Sequence, residues 1–97
     1  MFIGKVDTMG YLYILQSEKN GKYYIGSTNN LMRRLAEHNS GQTTSLKNLL
    51  PVRLVFSKFY ANLKEARKTE LHLKRMKSRN IIEKIIKDKI IKTNLKT

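Results

Sequence analysis

Four of the chain's five tyrosines fall in two close pairs, Tyr11 with Tyr13 and Tyr23 with Tyr24, on either side of an Asn20-Gly21 step. Aromatic and β-branched runs flank that step, Tyr11 to Leu15 before it and Lys22 to Ser27 after it, a pattern that predicts a β-hairpin. Any even-length loop centred there puts Tyr13 and Tyr24 on one sheet face, and Tyr23 and Ile25 on the other with Leu12 and Ile14. The aliphatic set predicts core. The two phenols leave two alternatives: rings packed across the strands, or a substrate-facing surface beside Gly26, whose missing side chain lets something approach the backbone closely. Further on, Arg34 and His38 stand four apart and share one side of a helix with the apolar edge of Leu31 and Leu35. They are either a solvated helix edge or an anion-binding pair suited to a phosphate ester. Arg33 and Glu37 occupy the outward side and predict an ordinary exposed ion pair.

Glu70 is the acid that needs an explanation, because a helical projection puts it inside the apolar arc of Leu63, Ala66 and Leu73. A carboxylate there requires compensation. The candidates are an ion pair with Arg67 or Lys74, or a hard metal ion held through one carboxylate and several waters. Asp7, Glu18, Glu65, Glu83 and Asp88 read as arm, turn, helix start, cap and surface, which argues against a two-metal centre built on clustered acids.

The elements that must hold these groups follow from periodicity and punctuation. Asn29 and Asn30 offer an N-cap to a helix from Leu31 to Asn39, closed by Gly41. Gln42 to Leu50 is polar and turn-rich, and Val52 to Tyr60 alternates as a third strand. Asn62 caps a long helix with Leu63, Ala66, Leu73 and Met76 on its apolar arc, and Asn80 with Glu83 predicts a capping box for a last helix rich in isoleucine. The order is β-β-α-β-α-α, an α+β chain. Met1 to Thr8 lack any period and read as a flexible arm, 9–97 read as a single domain, and past Asp88 the isoleucines leave the helical arc, predicting a frayed basic end.

At 97 residues the chain has room for one small core. Twenty Lys and Arg against seven Asp and Glu give a net charge of +13, while 40% hydrophobic residues set it apart from disordered basic tails. Such a charge predicts a polyanionic partner, nucleic acid before an anionic membrane. The lysines between Lys84 and Lys92 alternate with isoleucine pairs and lack a Trp or Phe anchor, which disfavours a membrane-surface helix. The absence of cysteine excludes disulfide frameworks, thiolate zinc sites and cysteine nucleophiles, and agrees with a cytoplasmic location. No secretory or membrane-spanning segment is visible, and no obligate protein partner is indicated.

Tyr11-Leu12-Tyr13, Tyr24-Ile25-Gly26 and the stretch Ser27 to Gly41 with Arg34 and His38, followed by the Leu54-Val55-Phe56 strand and the Ala66 and Glu70 pair, resemble the GIY-YIG (URI) endonuclease superfamily, above all its small stand-alone bacterial members. The likeness runs from about Met9 to about Ile86, with Tyr11 where the family name has glycine. It implies a three-stranded antiparallel sheet flanked by helices, and hydrolysis of DNA phosphodiesters that leaves a 5′ phosphate and a 3′ hydroxyl. It further implies Tyr13 and Tyr24 as the motif tyrosines, Arg34 as catalytic arginine, His38 as a frequent family histidine, and Glu70 as ligand of one divalent metal, Mg2+ or Mn2+. Lys22, Gly26 and Arg33 are assigned to substrate contact, and the excess of nearby cations is expected to favour the Tyr13 phenolate. Two rival readings remain: a silent nucleic-acid-binding module, and a nuclease acting on RNA, since phosphate contacts do not read the sugar.

Overall fold

The computed structural model describes residues 8–91. Strand β1 (Gly10–Ser17) is the centre of a three-stranded antiparallel sheet, between β2 (Tyr23–Thr28) and β3 (Val52–Tyr60). Helix α1 (Leu31–Asn39) follows β2, a 3-10 helix (Thr44–Leu49) precedes β3, and α2 (Leu63–Met76) and α3 (Arg79–Asp88) complete the chain. The order and the antiparallel sheet are those anticipated from the residues.

The hairpin closes with four residues, Glu18 to Gly21, centred on Lys19-Asn20 and not on Asn20-Gly21 as expected. Ser17 N donates to Lys22 O at 2.8 Å, Gly21 N donates to Ser17 O at 2.9 Å, and the Ser17 hydroxyl accepts from Lys19 N and Asn20 N. Gly21 takes a φ of 79°, which suits glycine. Because the loop length is even, the parity holds: Tyr13 pairs with Gly26 and Leu15 with Tyr24, so the two phenols share a face.

Both faces of the sheet are covered. Leu12, Ile14 and Phe56 meet Leu73 of α2 and Ile82 and Ile85 of α3 on one side. On the other, Tyr13, Leu15 and Val52 pack with Leu31 and Leu35 of α1 and with Leu46 of the 3-10 helix. The polar, turn-rich stretch before Pro51 thus contributes a fully buried leucine. Asn30 caps α1 by accepting from Arg33 N, and Asn62 caps α2 by accepting from Glu65 N, as their positions predict. Helix α3 starts two residues earlier than the Asn80 capping box implied: Ser78 is its N-cap, accepting from Ile81 N, and Glu83 is turned outward to Arg79 at 2.9 Å. Met76 is exposed, and the buried arc of α2 is Ala66, Thr69 and Leu73. Of the expected N-terminal arm only Thr8 is among the described residues; of the end expected to fray past Asp88, 89–91 are described and lie beyond α3, which Lys89 caps, and the rest falls outside them.

Candidate active site

The face that carries Tyr13 and Tyr24 is not open to solvent, because α1 and the segment after it lie across it. Tyr13 is only 1% exposed and His38 is fully buried, so the histidine expected to border the core is inside it. The Tyr13 hydroxyl and His38 Nε2 are 2.8 Å apart, and His38 Nδ1 lies 2.7 Å from Thr43 Oγ1. Tyr24 adds an edge-on ring contact to His38 at 5.5 Å.

Burial dominates the protonation states here. It pushes the Tyr13 phenol up to about 12, with the guanidinium of Arg34 alongside offsetting part of the rise. Burial first, and then the positive charge of Arg34, lower His38 from its ordinary value of 6.5. At neutral pH the pair is therefore a protonated phenol beside a neutral imidazole. This corrects the expectation that surrounding cations favour the phenolate: Arg34 acts in that direction but burial outweighs it. A guanidinium can only donate, so Arg34 alongside leaves the phenolic proton available to Nε2; in that arrangement Nδ1 carries the ring proton and donates to Thr43.

A stability prediction follows. The unfolded chain protonates His38 at its ordinary value while the folded chain resists, so the folded state binds fewer protons as pH falls and loses stability. His38 contributes fully above about pH 6.5 and its contribution fades as pH drops through the lowered folded value. Melting temperature measured from about pH 7.5 to 5.5 should fall, and His38→Asn should flatten that part of the curve.

Gly26 has a different role from the one its sequence position suggested. It lies directly opposite Tyr13, and a Cβ placed there would come within 2.5 Å of Tyr13 Cζ. The room beside its backbone is filled by the Tyr13 ring, not offered to a substrate. Gly26→Ala is accordingly expected to cost about 1 to 3 kcal/mol by overpacking, a drop of several degrees or more in melting temperature. Chemical denaturation checks this.

Arg34 Nη1 donates to Glu37 Oε1 at 3.0 Å, while Arg33 Nε lies 3.6 Å from Glu37 Oε2. The outward pair predicted for Arg33 and Glu37 is thus a three-membered cluster, and Glu37, ahead of Tyr13, holds Arg34 firmly protonated. Arg33 remains largely exposed, and Lys22 sits at the hairpin end of β2 in a separate cavity with Tyr23.

Glu70 is compensated twice. Ser27 on β2 donates its hydroxyl to Oε1 at 2.5 Å, and Lys74, one turn along α2, donates to Oε2 at 2.7 Å. Lys74 also lies 5.7 Å from the Tyr24 ring centre, reaching around the β2 edge. Among the described residues no three of His, Cys, Asp and Glu gather where a cation could sit. Glu70 would hold a cation through one protein carboxylate, leaving other oxygens to come from water or phosphate, the manner in which Mg2+ is commonly held. The Glu70 side chain is 21% exposed, so such an ion has access once Lys74 yields. The donor set fits a hard divalent ion. Sequence reasoning did not find Thr43 or Ser27; alternation along β2 places Ser27 on the α2 side, but Thr43 lies in a loop with no periodic signal.

Residues 9–85 match the model of the GIY-YIG catalytic domain. The chain is 41% identical over 73 residues to a UPF0213 protein of Streptococcus pneumoniae, covering 74% of this chain and 73% of that one. It is 38% identical over 85 residues to a UPF0213 protein of Clostridium perfringens, covering 87% and 89%. The solution NMR structure of a UPF0213 protein from Bacillus halodurans superposes with a TM-score of 0.54 at 30% identity, over 84% of this chain and 85% of that one. The chain belongs to the GIY-YIG family, on its branch of small UPF0213 proteins.

Proposed function

We propose that this protein is an endonuclease that hydrolyses DNA phosphodiester bonds with one divalent metal ion, Mg2+ or Mn2+, at Glu70. The observation that carries the reading is a phenol–imidazole pair flanked by an arginine that Glu37 holds, with a partly exposed carboxylate near enough for its charge to act on Tyr13, on the fold of a catalytic family. The metal, when bound, supplies positive charge at the phosphate and at the departing 3′ oxygen.

The remaining roles belong to the chain. Arg34 lies beside the Tyr13 oxygen and keeps about a third of its side chain exposed. Moving from Glu37 to the scissile phosphate, it neutralises charge that develops there and uncovers the phenol oxygen for a water. That water donates to Tyr13 while Tyr13 donates to His38 Nε2, so His38, neutral at pH 7, is the net proton acceptor and the phenol never needs to ionise. Thr43 orients the imidazole through Nδ1 and, with a hydroxyl that can accept, accommodates a proton there. Tyr24 packs the histidine in place, and Arg33 offers a second cation to the backbone of the strand.

With a net charge of +13, affinity rests on phosphate contacts, and cutting is structure-selective or weakly sequence-specific in DNA repair, recombination or processing within the cytoplasm. No helix among the described residues is long and apolar enough to cross a membrane. A second reading, a silent binding module, is favoured by one observation: both Glu70 oxygens already have protein partners. Incubation with nicked, flapped, branched and linear DNA, and with RNA, in magnesium and in manganese separates the two. The nuclease reading expects metal-dependent products from at least one DNA form, and the binding module expects none.

A further inference from the structure

A cavity of about 310 Å³ lies where the β2 edge meets the end of α2 and the start of α3, on the sheet face opposite Tyr13. Its floor is apolar, made by Ile25, Leu73, Ile82 and the ring of Tyr23. Its rim is cationic, made by Lys22, Lys74, Lys77 and Arg79, and no carboxylate lines it. Lys74 and Arg79 are paired with Glu70 and Glu83, but Lys22 and Lys77 make no ion pair among the described residues. The Arg79 guanidinium lies over Tyr23 at 4.7 Å from the ring centre, held by Gly21 O and Glu83, with more than half its side chain exposed. It is a planar group tethered on one side and partly open to solvent.

We propose that this cavity takes one unpaired nucleotide of the strand being cut, its base against the Arg79 plane and the apolar floor and its phosphate on Lys22 and Lys77. Leu73 and Ile82 belong to the core, but Tyr23 and Ile25 are only half-buried and offer apolar surface that a phosphate-only contact would leave unused, and an acidic peptide has no need of a stacking plane. The volume is at the small end of ligand cavities, which run from about 300 Å³ upward, and stacking on Arg79 calls for a base face that neighbours in a duplex would already cover. Lys74 joins the cavity to the cutting site, since the side chain that lines it carries the ammonium that touches Glu70 and faces the Tyr24 ring. The inference rests on the nuclease reading only for calling the strand a substrate, and it specifies that substrate as DNA with a flap or single-stranded branch beside the cut.

The test compares binding of a hexathymidylate and of a blunt duplex to the wild type, to Lys77→Glu and to Lys58→Glu, which makes the same charge change on β3 at the far edge of the sheet. Lys77→Glu should weaken hexathymidylate at least about tenfold and the duplex by less than about threefold, whereas Lys58→Glu should weaken both alike and little. Lys77→Gln, which removes charge without reversing it, should fall between, and covers the case in which the glutamate variant folds poorly. Equal losses in the Lys77 and Lys58 variants would overturn the cavity, as would hexaglutamate competing as well as hexathymidylate. If the wild type cuts DNA while Lys77→Glu behaves as Lys58→Glu, the cavity fails and the nuclease stands. If the wild type cuts nothing yet shows the expected binding pattern, the nuclease fails and the cavity stands.

Discussion

Glu70→Gln is expected to give a folded protein that binds DNA as the wild type does and no longer cuts it in magnesium, a loss of about a thousandfold or more. The amide is nearly isosteric and still accepts the Ser27 hydroxyl, so the contact between β2 and α2 survives. What it loses is the negative charge that a hard cation requires. The Lys74 pair it also loses is a partly exposed contact within one helix turn, worth about 0.3 to 0.5 kcal/mol, so melting should barely move. If Glu70 served only to pair with Lys74, the outcome would invert: cleavage would be intact and the small change would be in melting alone. Measuring cleavage and melting on the same preparation distinguishes the two.

Tyr13→Phe carries the second large effect. It keeps the ring that packs against Gly26 and removes only the oxygen between water and His38. Cleavage should fall by about a hundredfold or more, the usual range for losing a positioned proton-transfer group. Unlike Glu70→Gln it should also cost stability, about 1 to 3 kcal/mol, because His38 Nε2 is left buried without its partner. A phenylalanine variant that cuts normally would remove Tyr13 and His38 from the proton path together.

The sequence disclosed the pairing of groups better than their surroundings. Period-two alternation around an even loop was enough to put Tyr13 and Tyr24 on one face, and the i, i+4 spacing enough to put Arg34 and His38 on one side of α1. Alternation says which face a side chain is on, not what covers that face. The cover over Tyr13 comes from two leucines of a nine-residue helix and from Leu46 in a 3-10 helix whose other residues are mostly polar, too few apolar positions to form a pattern. That burial is what raises the Tyr13 phenol and lowers His38, so the protonation states were not legible before the third layer was known. Glu70 was singled out correctly as an acid in need of partners, with Lys74 among the candidates, but Ser27 becomes its neighbour only through packing of α2 on β2. At the start of α3 the Asn80 and Glu83 spacing misled: the helix begins at Arg79, which reaches back to Gly21 and Tyr23, so Ser78 is the cap.

The most direct measurement is nicking of supercoiled plasmid and of a flapped duplex by the wild-type protein in magnesium, in manganese and in excess chelator, beside Glu70→Gln under the same conditions. Metal-dependent cleavage by the wild type, abolished by chelator and absent from Glu70→Gln despite equal DNA binding, is the predicted result. Cleavage that persists in Glu70→Gln, or no cleavage of any form with either metal while both proteins bind DNA alike, would contradict the assignment of Glu70 as the metal-holding centre of a nuclease.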